Sequence, residues 1–212
     1  MKLQMKPHRL PGVLITFCGL DGCGKTTQIG LLRSFLEEMD ISVCLTKQPT
    51  DAVRQSEIFR TYMDRPGHDE YDYRALSLLC ASDRVQHSNR VIAPLLEDGN
   101  AVISDRYFYS CPANLYARGY TDDRWIYEIS GFVPEPDLAF FLDVSVDTAV
   151  RRVRSRPDER GRYIDLGLQY RLREQYLRIA RANGGVVIDA GESIERCFER
   201  VKAAVIGVMH YV

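Results

Sequence analysis

The chain carries six cysteines but has no C-x-x-C pair and no histidine at metal-site spacing from a cysteine, so a structural zinc site is not expected. It has no excess of positive charge. Its 28 Lys and Arg stand against 29 Asp and Glu, a formal net charge of −1, which speaks against general nucleic-acid or membrane-surface binding. No apolar run approaches the length of a membrane span, and residues 1–12 lack the apolar stretch of a secretory signal. Asn-Lys-x-Asp, the guanine-reading motif of nucleotide switches, is also missing, since none of Asn89, Asn100, Asn114 or Asn183 is followed by lysine. No internal repeat or low-complexity linker marks a boundary. The 212 residues therefore read as one domain, long enough to bury a sizeable core. Cys18 precedes and Cys23 lies within a glycine-rich segment that a disulfide would distort, so the thiols are expected to be reduced and the chain cytoplasmic.

What the chain has is that segment. Residues 19–26 read Gly-Leu-Asp-Gly-Cys-Gly-Lys-Thr, a complete G-x-x-x-x-G-K-[ST] phosphate loop. An apolar run, Val13 to Phe17, precedes it as a buried strand would. Thr27 to Met39 follows with Ile29, Leu32, Leu36 and Met39 at helical spacing. Each residue type has a chemical reason. Gly19, Gly22 and Gly24 let backbone N–H groups converge on phosphate oxygens near a helix N-terminus. Lys25 supplies a positive charge for the β- and γ-phosphates, and Thr26 a hydroxyl ligand for Mg²⁺. Asp21, Cys23 and Thr27 complete the candidate ATP-binding set.

Beyond the loop, short apolar runs alternate with helical patterns. Strands are expected at 41–45, 101–104, 138–142 and 186–188. Helices are expected around 54–63, 73–96, 110–116 and 122–130, and in a terminal helix bearing Ile194, Cys197, Val201, Val205 and Val208, with a polar loop at 64–70. Such alternation implies βαβ crossovers: an α/β three-layer fold with a five-stranded parallel sheet flanked by helices. Asp105 falls at the end of the 101–104 strand, where an acid suits Mg²⁺ positioning but equally suits a helix cap. Arg106 beside it is placed to grip a phosphate, or to pair with Asp83 or another neighbour. Residues 151–162 hold six arginines against Asp158 and Glu159. The run reads either as a solvated helix face or as a phosphate-gripping element.

The ordered blocks together resemble the thymidylate kinase family of phosphate-loop nucleoside monophosphate kinases, over about Val13 to Val205. Gly19 through Gln28 is similar to G-x-D-G-x-G-K-T-T-Q, and Glu57 to Arg60 to E-x-x-R. Asp83 to His87 resembles D-R-x-Q-H, Asp105 to Ser110 D-R-Y-x-x-S, and Pro136 to Asp143 P-D-L-x-x-x-L-D. Arg152 and Arg156 match a paired-arginine spacing that opens a lid at about 151–165, and Tyr176 to Ala180 resembles the stretch after it. Residues 1–10 would be an N-terminal extension.

The resemblance implies transfer of the γ-phosphate of ATP to dTMP, with Mg²⁺, in a homodimer formed through helices such as 73–96. It implies that Asp21 faces the deoxyribose 3′-hydroxyl. Arg60 and Arg106 would bind the acceptor phosphate, Arg84 the base edge, and Ser110 and Asn114 would line the acceptor site. Lys25, Asp105, Arg106, Arg152 and Arg156 form the expected catalytic set. Small-molecule nucleotides, rather than nucleic acid or membrane, are the expected partners.

The sequence departs from the family at the base pocket. Cys80 stands where a stacking aromatic is usual, Asn114 where a second is usual, and Gln48 where the loop after the second strand usually offers glutamate. An acceptor other than dTMP is the alternative this leaves open, with Tyr73, Tyr107, Tyr109 and Tyr116 as candidate replacements for the lost aromatic faces. A nucleotide switch or non-catalytic binding module is the reading from a different class. It would leave the arginine cluster without a purpose.

Overall fold

The order of the sheet follows from which strands are apolar on both faces. In the computed structural model, which describes residues 2–67 and 70–209, five strands form one parallel sheet: β1 Val13–Cys18, β2 Val43–Lys47, β3 Ala101–Asp105, β4 Leu138–Asp143 and β5 Val186–Asp189. Their spatial order is β2-β3-β1-β4-β5. β1 is buried at every residue and lies at the centre, while the half-exposed β2 and β5 lie at the edges. Phe17 of β1 stacks on Phe140 of β4 with centroids 5.0 Å apart. The expected fold class is the observed one.

Register decides where the chemistry goes. Phe17 pairs with Asp105 across β1 and β3, and Lys47 pairs with Asp105 across β2 and β3. Three strands thus end level, and the phosphate loop, Lys47 and Asp105 emerge together at the carboxyl edge, where open α/β sheets bind ligands.

The helices are α1 Lys25–Glu37, α2 Asp51–Arg54, α3 Glu57–Asp64, α4 Tyr73–His87, α5 Ala93–Glu97, α6 Ser110–Ala117, α7 Trp125–Ser130, α8 Val146–Arg154, α9 Leu166–Ala182 and α10 Ile194–Met209. Four differ from expectation for local reasons. α1 ends at Glu37, because Asp40 takes a left-handed φ of 58° and leaves Met39 exposed. The 54–63 pattern splits, with Ser56 capping α3 by accepting from the Phe59 N–H. The 73–96 pattern is interrupted by a π-turn at Ser88–Ile92 ahead of Pro94, which has no N–H to continue the ladder. The 122–130 pattern becomes helical only at Trp125.

The loop expected at 64–70 falls partly outside the described residues, as do the first residue of the extension and the last three of the chain. The extension is tied down where described. Leu3 and Met5 are buried, and the Leu3 N–H donates to Asn183 Oδ1. All six cysteines are free thiols. Among the described residues no helix is long and apolar enough to cross a membrane.

Candidate active site

The phosphate loop is shaped by close approaches that only glycine permits. Gly19 has φ +139°, and a Cβ there would lie 2.5 Å from the Leu142 carbonyl oxygen. Gly22 has φ +81°, and its Cβ would lie 2.3 Å from the Ala149 oxygen of α8. The loop feeds α1 through Gly24, which offers no side-chain cap. The first N–H groups of a 13-residue helix are therefore left for an anion. Lys25 is buried and donates from Nζ to the carbonyls of Gly19 at 3.3 Å and Leu20 at 2.9 Å, folded back along the loop it serves.

Arg106 is held beneath the same loop. Its backbone is left-handed at φ 68°, a conformation costing about 1–3 kcal/mol that surrounding contacts must enforce. Its N–H donates to the Phe17 carbonyl at 2.8 Å, and the Ser104 hydroxyl donates to its carbonyl at 2.6 Å. The guanidinium then reaches the Gly19 carbonyl at 3.1 Å, the Tyr176 hydroxyl at 2.9 Å and the Asp21 carboxylate. Asp83, the alternative partner, instead accepts from the Thr50 N–H.

A cavity of about 680 Å³ runs from the phosphate loop to α3, α4 and α6. Its wall includes Asp21, Gly22, Gly24, Lys25, Thr26 and Thr27. Asp105, Arg106, Arg84, Ser110, Asn114 and Arg156 also line it. Arg60 stands at its rim, ion-paired with Asp64 on an exposed face at 2.7 Å. Gly19 and Cys23 are buried behind the loop. Arg84 is buried, donating to the Tyr107 carbonyl at 3.3 Å and the Cys80 carbonyl at 3.0 Å.

Two residues named from sequence have their polar groups engaged with the protein itself. Arg152 is absent from the cavity wall among the described residues, because its guanidinium donates to the Ala190 carbonyl at 3.2 Å beyond β5. Arg162 does line the cavity, and it donates to Asp21 Oδ2 at 2.7 Å. Asn114 lines the cavity, but its amide is engaged within and just beyond α6. Nδ2 donates to the Ser110 carbonyl at 2.9 Å, and Oδ1 accepts from Arg118 at 3.0 Å.

Of the four candidate tyrosines only Tyr73 borders the cavity. Tyr107 and Tyr109 are packed in the core, and the Tyr116 hydroxyl donates to that of Tyr127. Phe59 supplies a second aromatic wall. Lys47, Arg54, Arg118 and Phe59 were not singled out as site residues from sequence. No local motif marks them, and only the fold brings them together.

The electrostatics are those of a site built for anions. Burial opposes ionisation of Asp21, but Arg106, Lys25 and Arg162 outweigh it and hold its carboxyl far below the usual range. Burial, then the neighbouring Arg54, lowers the Lys47 pKa. Burial, then Arg106, does the same to Arg54. Cations crowded enough to depress one another are relieved by a bound phosphate.

Asp105 is the complementary group. Its Oδ1 is buried without a partner, and its Oδ2 lies 3.9 Å from Lys47 Nζ. Thr26 lines the same pocket edge. Among the described residues no three His, Cys, Asp or Glu cluster to hold a metal. A cation here would complete its shell with water and phosphate oxygens, as Mg²⁺ does, and the orphaned carboxylate oxygen fits it.

A phosphate loop that shares one cavity with a second, separate set of cations defines a nucleotide-dependent phosphotransferase of the P-loop class. Residues 17–201 match the family described as thymidylate kinase. The chain is 37% identical over 199 residues to a probable thymidylate kinase of Pyrococcus horikoshii, covering 92% of this chain and 96% of that protein. It is 34% identical over 206 residues to a thymidylate kinase of Geobacillus sp. (strain WCH70), covering 92% and 97%. A probable thymidylate kinase of Staphylothermus marinus is 32% identical over 196 residues, covering 92% and 95%. The chain belongs to the thymidylate kinase family.

Proposed function

We propose that the chain transfers the γ-phosphoryl group of ATP to dTMP, giving ADP and dTDP. The observation that carries this reading is the single cavity joining the phosphate loop to Arg84, Arg106 and Ser110. An oxygen of the acceptor monophosphate attacks the γ-phosphorus while the bond to the β,γ-bridging oxygen breaks, and ADP leaves with that electron pair. The protein's task is positioning and neutralising oxygen charge.

The ATP phosphates lie on the N–H groups of Gly22, Gly24, Lys25 and Thr26, with Gly19 and Cys23 shaping the loop. Thr27 lines the same wall. Lys25 swings from the loop carbonyls to the β- and γ-oxygens. Arg106, with Arg54 and Lys47 beside it and Arg60 at the rim, takes the acceptor phosphate, and Arg156 and Arg162 close over the transferring group. Asp21 faces the acceptor sugar, and Arg84 the base. Thr26 and Asp105 would hold Mg²⁺, whose charge offsets that of the phosphate oxygens when bound. Arg152, held by the Ala190 carbonyl, is not assigned to the transferring group.

The enzyme works as a single-domain protein of the cytoplasm, as a homodimer, on small-molecule nucleotides and without nucleic acid or membrane. Incubation with ATP, Mg²⁺ and each of dTMP, dUMP, dCMP and dGMP, read as ADP release, tests the acceptor. The expected result is a kcat/KM for dTMP exceeding the others. The shared name of the relatives gives no support to another base.

A further inference from the structure

The acceptor end of the cavity has an occupant that the phosphate machinery does not use. Arg118 follows α6 and is half-buried on the cavity wall. Its guanidinium carbon lies 4.0 Å from the ring centroid of Tyr73 and 6.0 Å from that of Tyr62. Nη1 donates to the carbonyl of Asn114 at 3.2 Å and to its Oδ1 at 3.0 Å. Asn114 is in turn fixed through the Ser110 carbonyl. Tyr73 is itself backed by Tyr120 at 6.2 Å, with the Arg74 guanidinium 4.4 Å from the far ring's centroid. The side chain is thus oriented by a stacked ladder on one side and a helix end on the other, where a cation is favoured.

Two facts separate this arginine from an ordinary stacked surface cation. Among the described residues no carboxylate pairs with it, and no hydrogen-bond acceptor meets its Nε or Nη2. It also lines the same cavity as Arg84 and Cys80, the residue that offers no aromatic face. A half-buried cation with unspent donors on a cavity wall is available to an acceptor that enters the cavity.

Resting on the dTMP reading above, we infer that Arg118 is a specificity-determining residue of the acceptor subsite: seated on Tyr73, it presents its free N–H groups to a pyrimidine carbonyl oxygen. A guanidinium suits this because its plane stacks on aromatic rings while its edge donates. Thymine offers an acceptor at O4 where cytosine offers an N4 amino donor, so the arrangement favours dTMP over dCMP. Asn114 is then a positioning residue acting through Arg118.

The test is steady-state kinetics of the full chain with dTMP and dCMP, on wild type, Arg118→Met, Arg118→Lys and Asn114→Ala, with thermal unfolding of each. In Arg118→Met the dTMP-over-dCMP ratio of kcat/KM should fall about tenfold or more, with the KM for ATP within about twofold of wild type. Asn114→Ala should move the ratio the same way by less. Arg118→Lys keeps the charge without the planar fork, and its ratio should also fall, which covers the case in which Arg118→Met does not fold. A folded Arg118→Met or Arg118→Lys that keeps the wild-type ratio overturns the inference and leaves the dTMP reading standing. A wild-type preference for dCMP overturns both.

Discussion

Arg162 reaches back across 141 residues of sequence to donate to the carboxylate of Asp21, Nη2 to Oδ2 at 2.7 Å. Through this contact an arginine C-terminal to α8 closes on the phosphate loop, and Asp21 holds the place that phosphate oxygens would compete for. If Arg162 exchanges Asp21 for those oxygens, its new contacts strengthen most as charge develops on the transferring group.

Arg162→Ala should therefore lower kcat by roughly 10–100-fold while changing the KM for ATP less than about threefold. Arg152→Ala, whose side chain faces Ala190, should leave kcat within about threefold of wild type. Steady-state kinetics of the two variants decides it. A larger kcat loss in Arg152→Ala than in Arg162→Ala would reverse the assignment.

Gly22→Ala and Gly30→Ala should move stability in opposite directions. The first sets a Cβ 2.3 Å from the Ala149 oxygen on a left-handed backbone. The second lies in α1 with nothing within 4 Å. Thermal or denaturant unfolding should show Gly22→Ala destabilised by more than about 1 kcal/mol and Gly30→Ala stabilised by about 0.5–1 kcal/mol. Equal shifts in the two would mean that the close approach to α8 carries no constraint.

His87 predicts a pH dependence. Its ring nitrogens lie 2.8 Å from Thr46 Oγ1 and 3.1 Å from Gln48 Nε2, and burial lowers its pKa, with Asp83 opposing. The unfolded chain binds this proton with a pKa of about 6.5, the folded chain less readily. Its contribution to stability is thus present above about pH 6.5 and lost as pH falls through the lower folded value. The stability advantage of wild type over His87→Asn should shrink between about pH 8 and pH 5. An advantage independent of pH would show that the ring is not held neutral.

Much of this was legible in the sequence because it is local. The phosphate loop is a contiguous pattern with its strand before and its helix after. The five strands fall within about two residues of their apolar runs, most closely for the buried β1, β3 and β4. α8 and α9 were not separately legible as helices. Their core-facing stripes, Val146, Ala149 and Val153, then Leu172, Tyr176 and Ile179, are thin among arginines. Which arginine of the run of six turns toward Asp21 was not legible, because spacing within the run does not encode it. Lys47 and Arg54 join the site only through the β2–β3 register and the loop that follows. Arg118 meets Tyr73 only through the packing of α6 against α4. Such juxtapositions are properties of the fold, not of any window of sequence.

The central claim is group transfer from ATP to dTMP on this phosphate loop. It is tested most directly by incubating ATP labelled at the γ-phosphoryl group with dTMP and Mg²⁺, using wild type and Lys25→Met, and following the label. The label should appear in dTDP in step with ADP. Lys25→Met should stay folded but lose about 10²–10³-fold in rate, the cost of removing one partner of the developing charge. Label released as inorganic phosphate without dTDP, or a folded Lys25→Met with wild-type transfer, would contradict it.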